Sequence, residues 1–98
     1  MTTETLKPLS DFFDAIKKDG RISITHIGIY AALLQYWKEG NFCNPMTAFS
    51  HDIMVIAKVS SSATYHKCIR ELNEFGYIRY EPSFSRNSGS SIYITNNN

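Results

Sequence analysis

The chain has 98 residues, 43% of them apolar, which is enough for one domain around a single modest core. A formal charge of only +1 excludes the strongly basic class of nucleic-acid binders if the chain is taken whole, so any such role must come from where the charges lie. The two cysteines, Cys43 and Cys68, fit a reduced compartment better than a disulfide framework, and neither is expected to be a working thiol.

No internal repeat is present. Met1 to Lys7 is polar and lacks the apolar run of a signal peptide, and no later segment suits a membrane span, so a cytoplasmic protein is expected. Residues 1 to 57 hold five basic and six acidic groups. Residues 58 to 98 hold Lys58, Lys67, Arg70, Arg79 and Arg86 against Glu71, Glu74 and Glu81, so a small cationic excess falls in the second part.

In chain order, residues 1–8 are expected to be a flexible lead, 9–95 the folded domain and 96–98 a polar tail. Pro8-Leu9-Ser10-Asp11 predicts a helix start, with Ser10 as cap and Asp11 where the helix dipole favours a carboxylate. Leu9, Phe12, Phe13 and Ile16 form one stripe, Lys17 and Lys18 suit the C-terminal end, and Gly20 is expected to end the helix. The stripe either packs on the rest of the domain or is a contact in a homodimer. Arg21 to Ile24 reads as a short extended segment and Thr25 as the cap of a second helix. From His26 to Glu39, Ile27, Ile29, Tyr30, Leu33, Leu34, Tyr36 and Trp37 leave little polar face, which predicts a central helix buried on several sides. His26 is expected as a neutral or solvent-facing ring rather than a ligand. Gly40-Asn41 ends this helix, and Met46-Thr47-Ala48 is a candidate short strand. Ser50 is then expected to cap a helix with Ile53, Ile56 and Ala57 turned inward.

The stretch from Ile56 to Ile78 organises the chain: a short helix, a tight turn, and a longer helix stopped by glycine before a strand. Tyr65, Cys68, Ile69 and Leu72 recur at spacings of three and four and share a face that Phe75 extends, while Ser62, His66, Lys67, Arg70 and Glu74 occupy the other. Ser60 or Ser61 caps this helix, and Gly76 can take the left-handed conformation that closes it, which places Tyr77 against Leu72. Tyr77 to Glu81 alternates, with Ile78 and Tyr80 on one face and Arg79 on the other. Ser91 to Thr95 answers with Ile92 and Ile94 on one face and Tyr93 opposite. Joined by Pro82 to Ser90, these strands make a hairpin with a long loop, PSFSRNSGS.

The serine-rich turn, Thr64-Tyr65, Ile69, Leu72 and Gly76-Tyr77-Ile78 together resemble the recognition helix and wing entry of bacterial winged helix-turn-helix regulators. His26-Ile27-Gly28 with Tyr30-Ala31-Ala32-Leu33, and Ala63-Thr64-Tyr65-His66-Lys67-Cys68, resemble more narrowly a group of small bacterial winged-helix proteins, some encoded on mobile elements. The likeness covers about residues 9 to 95. It implies a mainly α fold with a small antiparallel β-hairpin or sheet, and double-stranded DNA as partner. The turn departs from the pattern, because Lys58-Val59 stands where a glycine is usual and a lysine rarely takes a positive φ.

For DNA, the physical case is that a helix fits the major groove and that small residues in its first turns allow close approach to base edges. Ser61, Ser62, Thr64, His66, Lys67 and Arg70 are the candidate reading residues. Ser50, Lys58, Ser60 and Arg79 are candidate backbone contacts, and Arg86 with Asn87 in the wing are suited to a narrow minor groove. The competing account of Lys67 and Arg70 is a solvated helix face. Tyr65 is expected in the core, since the resemblance puts an inward-packing residue there. Phe84 either anchors the wing or is exposed for a partner.

Metal and catalytic chemistry are not expected. His66 and Cys68 project about 200° apart around the helix axis, no close-spaced ligand pair occurs, and no nucleophile triad or glycine-rich phosphate loop is present. The expectation is a DNA-binding transcriptional regulator without cofactor. The alternatives are an accessory factor for excision or replication of a mobile element, or a protein-interaction module.

Overall fold

A computed structural model describes residues 3–83 and 89–95 of the chain. These residues form helices α1 (Thr3–Ile16), α2 (Ile24–Glu39), α3 (Ser50–Ala57) and α4 (Ser62–Glu74), with strands β1 (Met46–Ala48), β2 (Ile78–Glu81) and β3 (Ser90–Ile94). The fold is mainly helical with a small antiparallel sheet of order β1-β3-β2. No helix among the described residues is long and apolar enough to cross a membrane.

Helix α2 is central, as its apolar periodicity predicts, and packs against α1, α3 and α4. Ile29 and Leu33 from α2, Ile53 from α3, Ile69 and Leu72 from α4, and Ile78 and Ile92 from the sheet are completely enclosed. Each contributes about 1.5–3 kcal/mol by burial. Strand β3 is shared, with Ile92 opposite Met46 on one side and Tyr80 on the other. The expected alternation holds: Ile78, Ile92 and Ile94 are buried, while Arg79 is exposed. Asn44 lengthens the sheet beyond β1, because its amide accepts the Ile94 N–H at 3.0 Å and donates to the Ile94 carbonyl at 3.3 Å.

Several local expectations fail for physical reasons. Helix α1 starts at Thr3 and carries Pro8 inside it, so Ser10 is a mid-helix residue and the segment before Leu9 is not a flexible lead from Thr3 onward. Proline forfeits one backbone hydrogen bond here, while Lys7 and Asp11 pair across it at 2.8 Å. Part of the α1 stripe packs inside the chain: Phe12 is buried, its ring stacked on Tyr30 at 4.0 Å and edge-on to Tyr77 at 5.2 Å, whereas Phe13 is 42% exposed. Helix α1 also stops at Ile16, ahead of Gly20.

Helix α2 is capped by Ser23 rather than Thr25. His26 fills the role that Glu or Gln has in a capping box, its side chain accepting the Ser23 N–H while the Ser23 hydroxyl accepts the His26 N–H. Helix α3 is preceded by Phe49 with no side-chain cap, so Ser50 is its first residue and not its cap, and Ile56 is 38% exposed instead of inward.

The helix after the turn matches the sequence closely, whereas the turn takes the positive φ that a lysine rarely adopts. Lys58 takes the left-handed conformation at φ 62°, so the lysine occupies the glycine-like position itself. Ser61 is the cap of α4, accepting the Thr64 N–H at 3.2 Å. At the far end Gly76 has φ 90°, and its N–H and that of Tyr77 reach the carbonyls of Asn73 (3.2 Å) and Leu72 (2.9 Å). This is the paired-bond helix stop that a glycine permits. A glycine is also required at Gly89, where a Cβ would stand 2.8 Å from Thr47 Cγ2 and 2.9 Å from the Ala48 carbonyl oxygen.

Candidate nucleic-acid interface

Helix α4 has one enclosed and one open side. Tyr65, Cys68, Ile69 and Leu72 are buried against the core, while Ser62, Thr64, Lys67, Arg70 and Glu74 are exposed. Lys67 and Arg70, one turn apart, make no ion pair among the described residues, and neither does Lys58 in the turn before α4, where Ser60 is also exposed. His66 is half-buried beside Tyr65, and its Nδ1 donates to the Ser62 carbonyl at 2.8 Å. That bond leaves Nε2 as the outward ring nitrogen.

The candidate backbone contacts divide. Ser50 lies at the start of α3, next to a cleft bordered by His51, His66 and Tyr80. Arg79 is not an unengaged cation: Glu81 takes its guanidinium at 2.7 Å, and the Tyr93 ring on the neighbouring strand lies 4.9 Å below it. The signal was present in sequence, since residues two apart on a strand share a face. Arg86, Asn87 and Phe84 lie outside the described residues.

Two polar clusters hold α4 and its exit in place, and neither was foreseen. The first joins α2 to α4. His26 is 5% exposed; its Nδ1 accepts the Ser23 N–H at 2.9 Å, and its Nε2 lies 2.9 Å from Glu71 Oε1. Since a backbone N–H can only donate, the ring proton sits on Nε2 and points at the carboxylate. Cys68 is close by, and the three potential ligand atoms lie within 4.8 Å of one another. The chemistry is wrong for a metal. An ion on Nε2 would move the ring proton to Nδ1, donor against donor with Ser23, whereas metal-bound histidines donate from the other nitrogen. Burial also pushes the Cys68 thiol up, away from the thiolate a metal needs.

The second cluster ties the α1–α2 loop to the end of α4. Asp19 receives both Arg21 Nε and Nη2 at 2.8 Å and the Tyr77 hydroxyl at 2.6 Å. The Arg21 guanidinium lies 3.9 Å above the Phe75 ring. The Arg21 bonds, then that of Tyr77, hold the Asp19 carboxyl far below its ordinary range. Burial, then the Asp19 bond, pushes the Tyr77 hydroxyl up to about 12. These partners are distant in sequence, so only the fold reveals them.

Comparison of the chain with protein-family models, curated proteins and solved structures finds no match.

Proposed function

We propose that the protein is a winged helix-turn-helix protein that binds double-stranded DNA in a sequence-specific way and regulates transcription by occupying its site. The observation that carries this reading is the exposed face of α4, where Lys67 and Arg70 stand without acidic partners among the described residues while the opposite face is fixed in the core. A cation held ready on a rigid helix keeps its charge available for a phosphate or a guanine edge. The preceding turn, closed by Lys58, and the β2–β3 hairpin after Gly76 follow the order of elements that such domains use. The net charge of +1 calls for a modest number of phosphate contacts, and a homodimer would double them on a two-fold site. An accessory role in excision or replication of a mobile element uses the same surface and differs only in where the site lies.

The test is selection from a random duplex pool at low and moderate salt, followed by sequencing of the retained DNA. Enrichment of one motif, with log affinity falling linearly against log salt at a slope of about −0.9 per phosphate contact, is the expected result. A palindrome with half-sites about 10 base pairs apart adds the homodimer. No retention at low salt sinks the reading and turns the search to a protein partner.

A further inference from the structure

We propose that the cleft between the start of α3, the first turns of α4 and the root of the β2–β3 hairpin is a phosphate-binding site in which the Tyr65 hydroxyl is a ligand-binding donor. The cleft has a volume of about 300 Å³ and is bordered by Ser50, His51, Tyr65, His66, Tyr80 and Ser90, with no acidic residue among the described residues that line it. That is the lower end of the size range of small-molecule sites, roughly 300–1,000 Å³.

Two independent features supply donors without acceptors. Tyr65 is 2% exposed and lines the cleft, and its hydroxyl has no hydrogen-bond partner among the described residues. An enclosed tyrosine that lines a cleft presents its hydroxyl to whatever fills that cleft. Burial, with Tyr80 adding to it, pushes this hydroxyl above its ordinary range, so it remains a donor at neutral pH. On the other side, α3 begins without a side-chain cap, and the Ser50 and His51 N–H groups have no partner among the described residues. The positive end of the helix dipole favours an anion there. His66, with Nδ1 committed to Ser62, leaves Nε2 to share a proton with a bound acid. A tetrahedral oxyanion can accept from several directions at once, which matches donors arriving from two helices.

The phosphate has two possible sources, the DNA backbone and a free phosphate ester, and only the choice between them rests on the DNA-binding reading. The test is a titration of the full chain with inorganic phosphate at constant ionic strength, followed by amide and side-chain NMR, for the native chain and Tyr65→Phe. The variant keeps the ring and removes one oxygen, so its dispersed spectrum verifies the fold. We expect saturable shifts at Ser50, His51 and Tyr65, and binding roughly tenfold weaker in Tyr65→Phe, the size of one hydrogen bond to a charged group. Competition by phosphate against a selected duplex assigns the site to the DNA backbone. Saturable phosphate binding without such competition, or in a chain that retains no duplex, assigns it to a free phosphate ester. Non-saturating shifts, or equal affinity in Tyr65→Phe, overturn the proposal even if DNA binding stands.

Discussion

His26 Nε2 and Glu71 Oε1 lie 2.9 Å apart and join the first turn of α2 to the middle of α4. The same imidazole closes the α2 cap through Nδ1, so one side chain serves two elements. His26→Ala leaves the Ser23 N–H without its acceptor and opens space in the core, and the expected loss is about 2–3 kcal/mol in urea unfolding. Glu71→Gln retains an amide oxygen for Nε2–H and is expected to cost under about 1 kcal/mol. Ring-nitrogen NMR checks the tautomer directly, and a proton found on Nδ1 overturns this account of the cap.

Lys58 at φ 62° holds a conformation that costs a non-glycine residue roughly 1–2 kcal/mol. Lys58→Gly removes that strain and adds unfolded-state entropy worth about 0.4–1 kcal/mol against it. The net expectation is a rise in melting temperature, whereas Lys58→Val, β-branched and ill suited to positive φ, lowers it. A drop for both variants would mean that the lysine side chain itself supports the turn.

At Gly89 the constraint is contact rather than angle. An added methyl meets Thr47 Cγ2 at 2.8 Å and the Ala48 carbonyl oxygen at 2.9 Å, and the latter is backbone that cannot swing aside. Gly89→Ala is expected to cost about 1–3 kcal/mol by overpacking and to disturb the Ala48–Ser90 pairing. Amide exchange at Ala48 and Ser90 is the readout, and unchanged protection there argues against the clash.

The sequence patterns that survived folding are those set by local geometry. Spacing of three and four picked out Tyr65, Cys68, Ile69 and Leu72, alternation picked out Ile78, Ile92 and Ile94, and Gly76 marked the end of α4. What escaped depended on reach across the fold. A histidine in a capping box, a carboxylate shared by Arg21 and Tyr77, and an asparagine acting as a strand partner leave no periodic trace. The exposed face of α4 was therefore legible as amphipathicity, whereas the cleft beside it was not. Nothing at Tyr65 in the sequence says that its ring is buried while its hydroxyl has no partner among the described residues.

Stability should fall at both ends of the pH scale, for opposite reasons. The Asp19 carboxyl is depressed in the folded chain, so its contribution is complete above the unfolded value, about 3.9, and is lost as pH falls below it. Burial pushes Tyr30 up to about 12, and burial with Asp19 pushes Tyr77 up to about 12. Their contribution is complete below the unfolded value, about 10, and is lost as pH rises from there through about 12. Urea midpoints measured across pH should show both limbs, and Asp19→Asn should flatten the acid one. Ultraviolet titration should show Tyr30 and Tyr77 ionising late, together with unfolding; ionisation of all six tyrosines near pH 10 would contradict their burial.

The DNA reading makes its sharpest prediction by comparing cations that look alike in sequence. Lys67 and Arg70 are exposed on α4 without ion pairs among the described residues, whereas Arg79 is paired with Glu81 at 2.7 Å and lies over Tyr93. Releasing Arg79 to a phosphate would sacrifice that pairing, so its net gain on binding is smaller. Lys67→Ala and Arg70→Ala are each expected to reduce the salt slope by about 0.9 if they contact phosphates. A cation reading a base should instead relax sequence preference at one position, at a cost of roughly 1–3 kcal/mol. Arg79→Ala should change affinity least of the three. Because Lys67 and Arg70 are exposed surface positions, their unfolding free energies should stay within about 0.5 kcal/mol of the native chain. If Arg79→Ala alone weakens duplex binding while both α4 variants bind normally, the interface lies on the sheet and α4 is not the reading helix.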